Sequence, residues 1–257
     1  MNHLVYRIRR TLLRTLVPEF VWPRHVTIDG ARVRVRNAPY SFGVKRVLAR
    51  GEYEVDERRL LASLVAPGDV VIEMGGSIGV LTAVIAQRVG PAGCVVSVEG
   101  SQELTRYSRT WLETLGNVRV VTGFAFPVWR LERRVAIERF EEKWGSMSGR
   151  LTFQVTDEQG ADAASNGGAP LFDVETLAGM AGRPPVTLVV DIEGSEQIVA
   201  SQPPRFPASL RNLLIELHPH MYGEDVQAAI IRRIEDEGFA REAQEGTVYL
   251  FRRPARA

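Results

Sequence analysis

The chain has little of what would commit it to an extracellular, membrane-spanning or polyanion-binding role. A single cysteine, Cys94, stands in 257 residues. That excludes an intramolecular disulfide and fits a reducing compartment. No apolar run approaches the roughly 18–20 residues that a membrane span requires. No signal-peptide h-region with a small-residue cleavage site opens the sequence, so a cytoplasmic location is expected. Basic and acidic residues nearly cancel, 32 against 31, and bulk attraction to phosphates needs a clear positive excess, so no nucleic-acid partner is expected.

Two ligand-binding patterns are also missing. The stretch 69–79, Asp-Val-Val-Ile-Glu-Met-Gly-Gly-Ser-Ile-Gly, opens with a β-branched apolar run suited to a strand buried on both faces. It passes through a glycine turn into helical apolar spacing. A dinucleotide fingerprint, G-x-G-x-x-G from Gly75, fails because Ser77 and Val80 occupy its second and third slots. No lysine follows the turn, so it is not a phosphate-binding P-loop. What remains is acid-x-Gly-x-x-x-Gly: Glu73, Gly75, Gly79. Glycine permits a tight turn and close approach of backbone to a ligand.

Around this turn the chain reads as one α/β domain with an N-terminal extension. Residues 3–17 carry an amphipathic pattern, Leu4, Ile8, Leu12 and Leu16 with arginines between, stopped by Pro18. This helix is expected to pack on its own domain or on a second copy, which would make a homo-oligomer; the membrane surface is the alternative. Val26–Arg36 alternates around Asp29-Gly30, a hairpin signal. The expected division is thus 1–50, helix and hairpin, and 51–257, the main domain, with an insertion at about 126–170. A helix over 56–65 is expected to precede the central strand, and Glu54 before it could reach a ligand's ammonium group or simply favour the helix start.

Past the turn, Cys94–Val98 reads as a second buried strand ending in Glu99-Gly100. An acid there, about 20 residues beyond a glycine turn, is placed to accept from the two hydroxyls of a ribose. A third strand over 117–122 leads to Gly123-Phe124-Ala125; Phe124 and Ala125 could border a purine or cap a strand end. Residues 126–170 look irregular, rich in Arg and Glu, then carrying Trp144-Gly145-Ser146 and a polar tract over 160–168. Such an insertion is expected to be a lid, a substrate loop or disordered. A short helix is expected over 171–180.

A fourth strand, Val186–Val190, ends in Asp191, Glu193 and Glu196. Carboxylates at a strand's carboxyl end suit proton transfer, a metal or a cofactor. Asp191 and Glu193 share a side if the backbone stays extended, whereas Glu196 suits a helix start. A fifth strand, Leu213–Leu217, continues into His218-Pro219-His220. Spaced by two, Glu216, His218 and His220 would project together from an extended segment, with His218 a general base and Glu216 its orienting partner. The ligand types would also allow a divalent metal with Asp191, but none is predicted. A helix over 224–237 and a strand over 247–251 complete a doubly wound, mostly parallel sheet, whose ligands lie off the strands' carboxyl ends.

Taken together, these residues resemble motif I of class I S-adenosylmethionine (SAM)-dependent methyltransferases and, more closely, the FkbM family. That family's Gly-x-Tyr-Glu is matched by Gly51-Glu52-Tyr53-Glu54. Its motif I is matched by Glu73 to Gly79, its strand-two acid by Val98-Glu99, its Ile-Asp-Val-Glu-Gly-x-Glu by Asp191-Ile192-Glu193-Gly194-Ser195-Glu196, and its Glu-x-His by Glu216-Leu217-His218. The departures are Glu73, Gly76 and Ser77 for Asp, Ala and Asn, and Gly100-Ser101 for Pro-Asn. The resemblance implies a Rossmann-like fold and SAM as cofactor. It implies O-methylation of a hydroxyl on a sugar or natural-product small molecule. Glu73, Gly75, Gly76, Ser77, Gly79, Glu99, Gly100, Phe124, Ala125 and Asp191 would hold the cofactor, and Asp191, Glu193 and His218 would serve catalysis. N-methylation and a non-catalytic nucleoside- or partner-binding role stay open beside it.

Overall fold

The computed structural model describes residues 19–142, 149–159 and 169–254. The amphipathic segment 3–17, the polar tract 160–168 and Trp144-Gly145-Ser146 lie outside them.

The expected hairpin is present as β1 (His25–Ile28) and β2 (Ala31–Arg34), paired antiparallel. Asp29 and Gly30 turn it with φ of 47° and 84°, the doubly positive geometry that a two-residue hairpin with a right-handed strand twist needs. Helix α1 (Phe42–Arg50) follows. It was not expected, although its end signals are in the sequence: Ser41 accepts from the Val44 amide and Gly51 closes the helix in the left-handed region. Helix α2 (Val55–Leu61) leads into the sheet. Its Arg58, almost wholly buried, bonds the Asp29 carboxylate at 2.7 Å and the carbonyls of Gly51 and Tyr53 at 2.7 and 2.8 Å. One guanidinium therefore clasps the hairpin tip to the loop before α2.

The central units are β3 (Val70–Met74), α3 (Val80–Val89), β4 (Cys94–Glu99), α4 (Gln102–Leu112) and β5 (Val118–Thr122). After the short β6 (Phe124–Ala125) and the longer hairpin strands β7 (Arg133–Glu142) and β8 (Gly149–Gln159) come β9 (Leu171–Phe172) and α5 (Val174–Ala181). The chain closes with β10 (Thr187–Val190), α6 (Ile198–Ser201), β11 (Asn212–Glu216), α7 (Pro219–Tyr222), α8 (Glu224–Asp236), β12 (Ala240–Glu245) and β13 (Val248–Arg252).

Seven strands form one sheet in the order β12-β13-β11-β10-β3-β4-β5. β3, β4, β5, β10 and β11 run parallel, and β13 alone opposes its neighbours. The fold is therefore the expected doubly wound, mostly parallel α/β sheet. Successive strand residues face opposite layers. Ile72, Val96, Leu188 and Leu213 pack with Phe126, Leu177 and Ile230 on one side, whereas Val71, Val95, Val189 and Leu214 pack with Val84, Ile28 and Val33 on the other. The hairpin β1–β2 thus belongs to the second core. The strand order reverses between β3 and β10, and that switch point opens the crevice where such sheets take their ligands. Among the described residues, no helix is long and apolar enough to cross a membrane.

The segment 126–170 departs from expectation. Its described part is not irregular but a long antiparallel hairpin, β7–β8, with Val135 opposite Val155 and Ile137 opposite Phe153. Phe126 is fully buried and meets the Phe153 ring edge-on at 5.2 Å. Residue 171 opens a short strand, so the helix expected from there begins at Val174. The edge strand β12 was missed because its sequence is polar; only one face of an edge needs covering.

Phe126→Ala removes a fully buried ring shared by the sheet and the hairpin. The expected cost is about 3–5 kcal/mol in urea unfolding; a loss below about 1 kcal/mol would mean that the ring fills no close-packed space.

Candidate active site

The glycine turn knots three strands together. The Asp191 amide donates to the Met74 carbonyl at 2.8 Å, and the Gly75 and Gly76 amides donate to the Val98 carbonyl at 2.8 and 2.9 Å. Gly75 has φ of 92°, and a Cβ there would stand 1.6 Å from the Asp191 carbonyl oxygen. A Cβ on Gly76 would stand 2.0 Å from the Ser97 hydroxyl. Gly75 is thus required by close approach to the Asp191 backbone, not only to a ligand as the sequence implies, and Gly76 lies against a serine hydroxyl. Gly79, with φ of 85°, lies against Leu112 and opens α3.

Glu99 sits at the rim of this turn. One of its oxygens accepts from the Ser77 amide at 2.9 Å and the other from the Ser101 amide at 2.7 Å. Ser101 in turn caps α4 by accepting from the Leu104 amide. Gly100 lies between those two contacts. A carboxylate oxygen carries two lone pairs, so the fixed carboxylate can still accept from a vicinal diol.

Glu73 is 1% exposed and accepts from the Thr82 hydroxyl at 2.5 Å. Burial raises its pKa to about 7, against the pull of hydrogen bonds from Ser97 and Thr82. It lines a small cavity with Glu54, Glu57, Asp191 and Glu216, and no basic side chain shares that lining. Glu54 Oε2, Glu73 Oε1 and Asp191 Oδ1 are buried and have no hydrogen-bond partner among the described residues. Burial, and then the charge of Glu57, pushes Glu54 well above the usual carboxylate range. Burial also raises Glu57, to about 7. Asp191 is likewise raised by burial and then by Glu216, with His218 opposing. Glu54 is thus part of the crevice rather than only a favourable charge at a helix start. Its φ of 49°, with those of Ser77 (46°) and Glu193 (47°), is left-handed in a non-glycine residue, a strain that concentrates at functional sites.

Facing the cavity, His218 is 5% exposed. Its Nδ1 lies 2.8 Å from Glu196 Oε1, and its Nε2 faces Asp191 Oδ1 at 3.6 Å, Glu193 Oε2 at 3.9 Å and Glu216 Oε1 at 4.0 Å. Three expectations are corrected here. The residue that orients His218 is Glu196, which is fully buried and accepts from the His218 amide as well; it also stands at a helix start, as expected, where it accepts from the Gly194 N-cap amide. Glu216 instead accepts from the Thr247 hydroxyl at 2.8 Å. The strand ends at Glu216, and His220 lies exposed on α7, its ring 5.8 Å from that of His218. Asp191 and Glu193 do converge, but through a left-handed turn at Glu193 rather than extended alternation. Burial lowers the His218 pKa, yet the hydrogen bond and charge of Glu196, with Asp191 and Glu216, outweigh it and push the value up to about 9. Its carboxylate partners thus favour the protonated ring over a free base. Phe124 and Ala125 are 9% and 4% exposed within the core, which leaves them little surface for a purine.

The strand order with its one reversed strand, and a glycine turn between two acid-tipped strands, give a Rossmann-like doubly wound fold with its ligand crevice at the switch point. Comparison adds one partial family match. Residues 53–125 match the family model described as protein-L-isoaspartate(D-aspartate) O-methyltransferase. That span holds the glycine turn, Glu73 and Glu99 and ends before Asp191, Glu193 and His218. No curated protein matches the chain significantly. Among solved structures, fibrillarin from Aeropyrum pernix with natively bound SAM is similar at 13% identity, TM-score 0.44, over 89% of this chain and 80% of its own. A TehB-like SAM-dependent methyltransferase from Corynebacterium glutamicum gives 12%, TM-score 0.45, over 82% and 95%. A protein-L-isoaspartate O-methyltransferase gives 34%, TM-score 0.25, over 26% of this chain and 22% of its own.

Glu73 predicts a pH dependence of stability. Its pKa in the folded state, about 7, is above the unfolded value, so ionisation opposes folding. The stability it supports is complete below about pH 4.5 and is lost as pH rises toward 7. Urea unfolding at pH 5 and pH 8 should show Glu73→Gln removing up to about 3 kcal/mol of that fall. An unchanged pH slope would exclude Glu73 as its source.

Proposed function

We propose that the protein is a SAM-dependent methyltransferase, and the observation that carries this is the polarity of the crevice. One end presents buried carboxylate oxygens without partners among the described residues, and no basic side chain; the other presents Glu99 fixed at the rim of a glycine turn. A pyrophosphate would be repelled by the first end. A ligand with cationic groups at one end and a ribose at the other complements both, and SAM is such a ligand. Gly75, Gly76, Ser77 and Gly79 would line its middle, with Glu99 on the ribose and Glu54, Glu73 and Asp191 toward the charged methionyl part. Phe124, Ala125 and Gly100 would border the adenine side only by their edges and backbone.

When bound, the cofactor supplies a methyl group made electrophilic by a sulfonium. The chain's own task is to place an acceptor in line and to relieve it of a proton. Asp191 and Glu193 stand at the carboxyl end of β10, next to the glycine turn, and are the residues to receive that proton. His218, held by Glu196, stabilises their charge. The acceptor is read as a hydroxyl of a sugar or natural-product small molecule, because the residues 51–54, 191–196 and 216–218 follow the FkbM pattern. The isoaspartyl family match favours O-methylation of a protein as the second reading, but it covers only the cofactor half. A cytoplasmic location fits the single cysteine.

Calorimetry with SAM and S-adenosylhomocysteine should give micromolar binding, about −8 kcal/mol, weakened tenfold or more by Glu99→Ala. Well-folded protein that binds neither would leave a non-catalytic role. Once an acceptor is found, Glu193→Gln should lower kcat by about 10²–10⁴ while cofactor affinity is kept; a negligible effect would favour an amine acceptor.

A further inference from the structure

We propose that Asp191, Glu193 and His218 form a divalent metal site, with Glu216 at its edge. One oxygen from each of the two carboxylates and one histidine ring nitrogen all lie within 4.8 Å of one another. The distances from His218 Nε2, 3.6 Å to Asp191, 3.9 Å to Glu193 and 4.0 Å to Glu216, are too long for hydrogen bonds. They are close to what surrounds an ion. Ligand atoms about 2.1 Å from a metal stand about 3.0–3.4 Å apart when adjacent, so from a set within 4.8 Å closure takes side-chain rotations of up to about 1–2 Å.

An independent feature aims the histidine into this space. His218 is 5% exposed, and its Nδ1 is taken by Glu196, itself fully buried and anchored by the Gly194 amide. A carboxylate on the far nitrogen is the usual outer shell of a metal-binding histidine, fixing its tautomer and raising its basicity. Asp191 Oδ1, the oxygen nearest Nε2, is buried and has no hydrogen-bond partner among the described residues. The backbone here is left-handed at Glu193 and Gly194, φ 47° and 106°, and this turn presents both carboxylates to one point.

One imidazole with two or three carboxylates suits a first-row ion such as Mn²⁺ or Zn²⁺ better than Mg²⁺ or Ca²⁺, which prefer all-oxygen sets. Three protein ligands leave coordination positions open. An acceptor hydroxyl taking one of them would be polarised and, with Asp191 and Glu193 then serving as ligands in place of proton acceptors, would release its proton to Glu216 or to water. This role rests on the methyltransferase reading; the metal site itself does not.

The test is Mn²⁺ titration of the chelator-treated full chain, followed by electron paramagnetic resonance and without cofactor. One saturable site is expected, weakened tenfold or more in Glu193→Gln and unchanged in Glu103→Gln, an exposed acid on α4. Glu193 is preferred to His218 for substitution because it is partly exposed and its loss leaves no buried partner stranded; thermal melts check the fold. Absence of saturable Mn²⁺ and Zn²⁺ binding in folded protein, or equal affinity in Glu193→Gln, overturns the proposal. S-adenosylhomocysteine titrated on the same metal-free protein reports the cofactor reading separately, so either can fail alone.

Discussion

The whole carboxyl edge of the sheet depends on how closely the backbone at Gly75 approaches that at Asp191. The contact joins the first and fourth parallel strands at the point where strand order reverses. It also sets the distance between the turn that would hold the cofactor and the acids that would serve the acceptor. Any side chain at 75 would collide with a carbonyl oxygen, which cannot move aside without opening the β3–β10 pairing. On the proposed reading catalysis would be chiefly positioning, and the positioning would be done by backbone, the least compliant part of the molecule.

Charge is the second theme. The crevice gathers Glu54, Glu57, Glu73, Asp191 and Glu216, and the nearest cationic side chain facing them is that of His218. Uncompensated carboxylates in a buried setting are costly, so some of them stay protonated until a positive group arrives. The ligand and, on the proposal above, a metal ion are the missing counter-charges. The left-handed backbone at Glu54, Ser77 and Glu193 adds local strain to this charge.

Much of this was legible in the sequence, and the limits are physical. The glycine turn, the acids at the ends of β3, β4 and β10, and the parallel strands were readable because buried strands and tight turns admit few residue types. The hairpin β1–β2 was given by Asp29-Gly30. The role of Glu196 was not readable: its carboxylate reaches a histidine 22 positions on, and nothing local separates a helix-start acid that is buried from one that is not. His220 was misplaced because Pro219 starts a helix and breaks the spacing of two. The β7–β8 hairpin was passed over although Val135, Ile137, Phe153 and Val155 alternate, because charged residues between them masked the period.

The guanidinium of Arg58 has a wider reach than its three bonds suggest. It ties the carbonyls of Gly51 and Tyr53, the stretch that delivers Glu54 to the crevice, to Asp29 at the tip of the outer hairpin. The hairpin and the acid wall are thus one lever with Arg58 as its pin. Removing that one guanidinium would release the hairpin tip and the loop that carries Glu54 together.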